Sequence, residues 1–557
     1  MFETIKRIIK NIPGSYDIDC FLKSPVREIN NWREFLDLKK RFGKINNKKK
    51  SETKGKLLII SLQGNFVSAV KMEILLAKVA QFEGLEPIVL TDRWAWANRF
   101  YRAFGIKSFI YFSDFLARAR RAIKSENTEN DYKIKSFDQL MDLTYRGVNI
   151  GKYICSSLVR KTYTGEVDVN DPDTQKLIKK YLSDTKINTV AAGYIYNKHK
   201  PDAVLFLERG YTPYGEFFDI ALKRNLNVVQ WCGSHKNNAL TLKRYNSANQ
   251  DQHPASLSQK TWEILKNMPW DSTKSNLVNQ ELFKNYSSGE WFGEVGTQFN
   301  VKMISPDDIK RQLGLDPAKR TAVILSHLFW DATFFFGEDI FTNYREWFVE
   351  AVKAACKNTH VNWILKFHPA NVVKLNRDGY KGELIEKISI KEEVGELPPH
   401  VKILEPNTKI STYSLYKIMD YCLTVRGTPG IEAAMFGIPV LTAGTGRYDR
   451  HGFTIDSSSK ENYLEKLAKI HTYPRLTPQQ IELAQKFAYG TFILRPFELE
   501  SIRVSYKKDK KATQNVQYLV NSNDELRHAE DVVNFGKWII SSKDEDYLDS
   551  TKLPPAS

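Results

Sequence analysis

Apolar residues fall along this chain in short dense runs, separated by longer stretches in which they recur every three or four positions. The runs LLIISL (57–62), PIVLTD (87–92), SFIYF (108–112), 203–207 and 227–231 occupy the first half. TAVILS (321–326), WILKFHPAN (363–371), VKILEP (401–406), Tyr421–Val425 and Pro439–Ala443 occupy the second. Runs this short, bounded by Gly, Pro or Asn, predict buried strands. Val67–Phe82, 216–224, 343–356, 410–420, Ile431–Phe436, 460–470 and 478–493 carry the helical spacing, and Gly84, Gly314 and Gly437 stand where C-caps are expected. Strands alternating with helices predict a parallel sheet wound on both faces, and the alternation occurs twice.

The expected fold is therefore α/β, with two Rossmann-like doubly wound domains facing a cleft. The predicted division is an amphipathic and basic extension over 1–54, a first domain over 55–300 with a helical insertion at about 114–200, a second domain over 301–500, and a tail over 501–557. Gly64 and Asn65 are expected at the cleft, and the polar stretch 271–300 is read as the crossing between domains. The tail, with KKDKK at 507–511, reads as partly disordered.

The densest chemistry lies at 420–456. A strand there runs into Arg426-Gly427-Thr428-Pro429-Gly430, then into a helix carrying Glu432 and a second strand followed by Thr445-Gly446-Arg447-Tyr448. A helix that starts at such a corner presents free N–H groups and the positive end of its dipole, so the corner can hold a phosphate. Arg426 would add a cation of bidentate geometry. The competing reading is an ordinary βαβ unit whose glycines serve tight turns.

The pattern strand, R-G-T-x-G-x-E-A, helix, G-x-P-V-L resembles the donor-binding half of GT-B glycosyltransferases, and most of all the bacterial capsule and surface-polysaccharide biosynthesis group, which includes Kdo transferases using CMP-Kdo. The resemblance implies that the loop at Arg426, Gly427, Thr428 and Gly430 holds the donor phosphate and that Glu432 contacts ribose or sugar hydroxyls. His368, in an H-P pair after an apolar strand ending in Lys366, resembles the nucleotide-lining position of the same family, and Lys366 is a further candidate for the donor phosphate. Arg447 completes the expected donor set. The motif is also similar to that of sugar-nucleotide 2-epimerases.

In the first half, ERGYTPYGE (208–216) and GSHKNNALTLKRYN (233–246) both follow strands, and both read as loops facing the crevice. Glu208, Arg209, Tyr211 and Tyr214, with His235, Lys236, Asn237 and Lys243, offer the carboxylates, amides and aromatic faces a carbohydrate needs. For the base or nucleophile the candidates are Asp331, Glu208 and His235, in that order. The expected activity is transfer of a sugar from a nucleotide-activated donor, with CMP- or UDP-linked donors favoured, to a surface glycan or glycolipid. The alternatives are a sugar-nucleotide epimerase or hydrolase and a non-catalytic component of an assembly complex.

Composition narrows the partners. A formal charge of +17 on 557 residues calls for acidic ligands, and no nucleic-acid-binding signature accompanies it, so no nucleic-acid partner is expected. Five scattered cysteines without CxxC spacing predict neither zinc nor disulfides. Asp544-Glu545-Asp546 matches a D-x-D metal motif in form only, so no metal and no cofactor beyond the donor are expected. Without a long apolar run the expected place is the cytoplasm. Phe2, Ile5, Ile8, Ile9 and Ile12, flanked by Lys6, Arg7 and Lys10, give residues 1–13 the form of a helix for the inner face of an anionic membrane or for packing on the protein's own body.

Overall fold

The computed structural model describes residues 18, 21–22, 25–43, 53–63, 66–93, 95–125, 134–299, 301–331 and 334–553. The expectations for residues 1–13, for Gly64 and Asn65 and for the basic linker around residue 50 lie outside the described residues. In chain order the strands are β1 (Gly55–Ile60), β2 (Leu85–Thr91), β3 (Ser108–Tyr111), β4 (Ala203–Phe206), β5 (Asn227–Gly233), β6 (Ala239–Tyr245) and β7 (Arg320–Leu325). They continue as β8 (Val361–Lys366), β9 (Val401–Leu404), β10 (Tyr421–Thr424), β11 (Val440–Thr442), β12 (Pro496–Glu498), β13 (Ile502–Tyr506) and β14 (Gln514–Tyr518).

The first sheet has the order β12-β6-β5-β4-β1-β2-β3, with β1 to β5 parallel, β6 antiparallel to β5, and β12 antiparallel to β6. The second, β11-β10-β7-β8-β9, is parallel throughout. Each sheet grows outward from its first strand in both directions. The strand order therefore reverses between β1 and β4 in one lobe and between β7 and β10 in the other, which is where crevices open at the carboxyl ends of strands. The two-lobed GT-B-like architecture is the one expected.

Strand burial explains why the apolar runs are unbroken. Leu57 and Ile59 pack with Ile74 and Leu75 of the helix Val67–Phe82, while Leu58 and Ile60 pack with Val190, Ala191 and Phe217 on the opposite face. In the second lobe Val323 and Leu325 face one core, and Ala322 and Ile324 the other. Both faces are covered, so alternation of polar and apolar residues would bury polar groups.

Four features differ from expectation. The segment 239–245, read as loop, forms β6, because Leu240 and Leu242 alternate into the first core. The predicted helix 410–420 shrinks to Thr412–Leu415, since Asp420 already donates its N–H to Thr321 of β7. The crossing comes earlier than 271–300: Leu257, Trp262, Leu265, Val278, Leu282 and Tyr286, on or beside the helices Gln259–Asn267 and Ser272–Ser288, share a core with Ile431 and Met435.

The C-terminal segment, expected to be partly disordered, is folded onto the first lobe. After the helix Pro478–Tyr489 the chain adds β12 to the first sheet, and Val504, Val516, Tyr518, Val532, Phe535 and Trp538 join the core beneath Val67–Phe82. The lysine run that suggested disorder is the turn joining β13 to β14, where charge is solvated and costs little.

Candidate functional site

Between the lobes lies a cavity of about 590 Å³, walled by residues that follow β4, β5, β7, β8 and β10. Both order-reversal points thus open onto one space. Of the residues expected at the site, Glu208, His235, Asp331, Lys366, His368, Arg426, Gly427, Thr428 and Arg447 line it.

The corner after β10 is built largely as expected. Gly427 is the N-cap of the helix Thr428–Met435, no side chain caps it, and Pro429 sits in the first turn, where a missing N–H is harmless. Gly427, Thr428 and Pro429 belong to the cavity wall. The Gly427 N–H is taken by Thr424 Oγ1 at 3.2 Å and that of Gly430 by the Gly427 carbonyl at 3.0 Å, so the first turn offers the cavity the Thr428 N–H and the positive end of its dipole.

Gly430 and Glu432 require correction, because neither reaches the cavity wall. A Cβ at Gly430 would lie 2.2 Å from the Tyr448 hydroxyl, which donates to the Gly427 carbonyl at 2.7 Å. The glycine thus makes room for a tyrosine that clamps the corner. Gly430→Ala is expected to lower stability by about 1–3 kcal/mol through overpacking, read as an earlier midpoint in chemical unfolding. Glu432 is fully buried and accepts from Tyr286 at 2.5 Å and Tyr416 at 2.8 Å. Burial pushes its carboxyl up to about 7. Tyr286 stands in the wall and Glu432 braces it from behind.

Arg426 lines the cavity with its guanidinium already engaged. Its Nε donates to the Thr445 carbonyl at 3.0 Å, Nη1 donates to Tyr344 at 3.0 Å, and Nη2 pairs with Asp339. Burial pushes the Asp339 carboxyl up to about 6, against the pull of Arg426. The expected bidentate fork instead ties the strand exit to the loop at Asp339.

Uncompensated cations lie beside it. Arg447 donates Nη1 to the Arg426 carbonyl at 3.1 Å, and its Nε has no partner. Lys366 is 4% exposed, and burial lowers it to about 8. Among the described residues neither has an ion-pair partner. His368 is held neutral by burial, which lowers it to about 3, and its Nδ1 accepts the Ala370 N–H at 3.2 Å. That bond fixes the tautomer and leaves Nε2–H as a donor.

Sequence reasoning passed over His253, which begins a second His-Pro-Ala triplet identical to 368–370. Its Nδ1 accepts the Ala255 N–H at 3.0 Å, burial and the surrounding arginines lower it well below the usual range, and it too lines the cavity. The repeated triplet was the available signal. Arg495, also in the wall, is held by the carbonyls of Pro254 and Leu242, both at 2.8 Å, and by that of Ser256; no local motif announces it.

The three candidate bases are in different states. His235 is locked: its Nε2 meets Glu281 at 2.9 Å, Ser234 faces its Nδ1 at 3.3 Å, and Trp291 and Phe492 pack on the ring. Asp331 accepts from Tyr211 at 2.9 Å and pairs with Lys374. Burial would raise its carboxyl, but Lys374 and Arg160 bring it below the usual range. Glu208 uses Oε1 to accept the N–H groups of Arg209 at 2.6 Å and Gly210 at 2.7 Å, and no described residue bonds Oε2. Burial holds its carboxyl above the usual range.

Two residues expected at the carbohydrate surface are structural instead. Arg209 is buried, bonded to Gln230 at 3.1 Å and to the Gln252 carbonyl at 2.9 Å, and Lys243 pairs with Asp546 at 3.0 Å. Each carries a charge that the polar pattern of the loop had suggested was exposed.

No family model and no curated protein sequence matches the chain. Among solved structures it is similar to the KpsC beta Kdo 2,4 transferase of Thermosulfurimonas dismutans, at 14% identity over 58% of this chain and 87% of that one, with a TM-score of 0.33. It is similar to the UDP-GlcNAc 2-epimerase of Neisseria meningitidis bound to UDP-GlcNAc, at 12% identity over 78% and 99%, with a TM-score of 0.26. A third is MnaA of S. aureus, in a structure with UDP, at 14% identity over 78% and 94%, with a TM-score of 0.29. The likeness in each case is one of fold.

Proposed function

We propose that this chain transfers a sugar from a nucleotide-activated donor, CMP- or UDP-linked, to a glycan or glycolipid of the cell surface. The observation that carries this reading is the pairing, across a single cavity, of Lys366 and Arg447 on one lobe, neither with an ion-pair partner among the described residues, with Glu208 on the other, whose Oε2 no described residue bonds.

Breaking the bond from the anomeric carbon to phosphate leaves negative charge on the phosphate. The Thr428 N–H and the dipole of the first turn, with Lys366 and Arg447, meet that charge with donors already in position, so little reorganisation accompanies the step. His368 and His253 add neutral N–H donors. The acceptor hydroxyl forms the new bond to the anomeric carbon and gives its proton to Glu208. Asp331, with Tyr211 on the first lobe and Lys374 on the second, holds the lobes in register.

The test is thermal unfolding against CMP, UDP, GDP and TDP and their sugars. A nucleotide at about 100 times its dissociation constant should add about 2.7 kcal/mol of stability. The same nucleotide should give no shift with a Lys366→Ala/Arg447→Ala variant that still folds. No response from the parent to any nucleotide would defeat the reading. Rapid turnover of the nucleotide sugar without acceptor would replace it with epimerisation or hydrolysis.

A further inference from the structure

More than half of the large apolar side chains exposed among the described residues lie on one short stretch at the start of the chain. The helix Pro25–Phe42 buries Leu38 and Phe42, and Phe42 stacks on Phe104 with centroids 4.3 Å apart. Its opposite face is apolar as well. Within the helix Val26, Ile29 and Leu36 follow one another at intervals of three and seven residues, so they form one stripe, with Trp32 along its edge, and Ile18, Phe21 and Leu22, earlier in the chain, are exposed as well. Their exposures run from 42% at Ile29 to 75% at Leu22. A surface helix ordinarily turns polar residues outward, and a contiguous apolar stripe there marks an interaction site.

The charges on this helix identify the partner. Its acidic residues are all paired: Glu28 with Arg27 at 3.0 Å, Asp37 with Arg41 at 3.2 Å, and Glu34 with Lys71. Arg33, Lys39 and Lys40 have no ion-pair partner among the described residues, and Arg33 and Lys40 fall in register with the stripe. Arg99 adds a guanidinium 5.0 Å from the Trp32 ring centroid. A second copy packed on this face by a twofold axis would set these cations against their own mates. Residues 1–13, with Lys6, Arg7 and Lys10, would bring more charge of the same sign. What satisfies an apolar stripe bordered by unpaired cations is an apolar layer beneath an anionic surface.

We propose that the outer face of the helix Pro25–Phe42, with the exposed Ile18, Phe21 and Leu22 before it, docks the protein on an anionic lipid bilayer. The side chains of the stripe enter the interface, and Arg33, Lys39 and Lys40 meet the lipid phosphates. This holds whatever chemistry the cleft performs.

The test is co-sedimentation of the full chain with vesicles of phosphatidylcholine alone and with vesicles containing about one third phosphatidylglycerol. The parent should pellet with the anionic vesicles and be released by high salt. A Leu22→Ser/Val26→Ser/Ile29→Ser variant should lose at least about tenfold in partition while keeping the parent melting curve, since these side chains are exposed. Arg33→Ser/Lys40→Ser should abolish the preference for anionic over neutral vesicles. Failure of the parent to pellet, equal pelleting with both vesicle types, or an unchanged serine variant overturns the proposal. So does sedimentation velocity showing a parent dimer that the serine variant splits.

Discussion

Glu208→Gln is expected to lower the turnover of sugar transfer by about 10²- to 10⁴-fold while leaving nucleotide binding unchanged, the range that removal of a general base produces. Glutamine retains an oxygen for the N–H groups of Arg209 and Gly210, so the loop after β4 keeps its shape. The variant loses only the ability to take a proton. The proposed nucleotide seat belongs to the other lobe, so the thermal shift from the cognate nucleotide should survive.

The pH profile carries the same information. Burial stabilises the protonated carboxyl of Glu208, and the two N–H bonds and Arg209 offset this only in part, leaving the group above the ordinary carboxylate range. A base must be deprotonated to act, so the acid limb of kcat/KM should lie above that range and vanish in the glutamine variant. Asp331 would give the opposite signature, because Lys374 and Arg160 outweigh burial and keep it ionised to lower pH. An Asp331→Asn variant that abolishes the limb while Glu208→Gln preserves it would transfer the base role to Asp331.

Which of these two carboxyls serves as base was not legible in the sequence, although both were. Sequence order placed Asp331, Glu208 and His235 after strand ends, which is enough to bring all three to the cavity. Their protonation states depend on Lys374, Arg160 and Glu281, which belong to other elements and meet them only in the folded chain. Glycine identities were legible in the same partial way. The sequence around Gly427–Gly430 announces a corner, yet Gly427 opens onto the cavity while Gly430 yields to Tyr448. Apolar runs predicted the sheets because strands covered on both faces leave no polar positions to confuse the reading. The C-terminal core was missed because the charged runs on either side dominate the composition of the tail, although Val532, Phe535 and Trp538 recur at helical spacing and only Lys537 among 532–540 is exposed.

Asp546→Asn is expected to lower stability by about 3–5 kcal/mol, the cost of stranding buried charge. Asp546 is 1% exposed and accepts the Ser258 N–H at 2.6 Å and Lys243 Nζ at 3.0 Å, with Arg495 at 3.5 Å. The two cations are as deeply buried as the carboxylate. Asparagine keeps one acceptor, for Ser258, and replaces the oxygen that faces Lys243 and Arg495 with an NH2 donor, leaving the two cations to repel one another without a counterion. Burial alone would raise the Asp546 carboxyl, but Arg495 and Lys243 together hold it far below the ordinary range. A depressed carboxyl contributes stability that is complete above its unfolded value and is lost as the pH falls through its folded value. The parent should therefore lose this contribution on strong acidification, whereas the asparagine variant lacks it at every pH. A double-mutant cycle with Lys243→Met isolates the coupling, because methionine removes one of the two stranded cations. If Asp546→Asn costs under about 1 kcal/mol, or if adding Lys243→Met recovers nothing, the triad is not what pins the C-terminal segment to β6. A large cost would reach the cavity wall, since Arg495, fixed there by three backbone carbonyls, has its charge balanced by the same carboxylate.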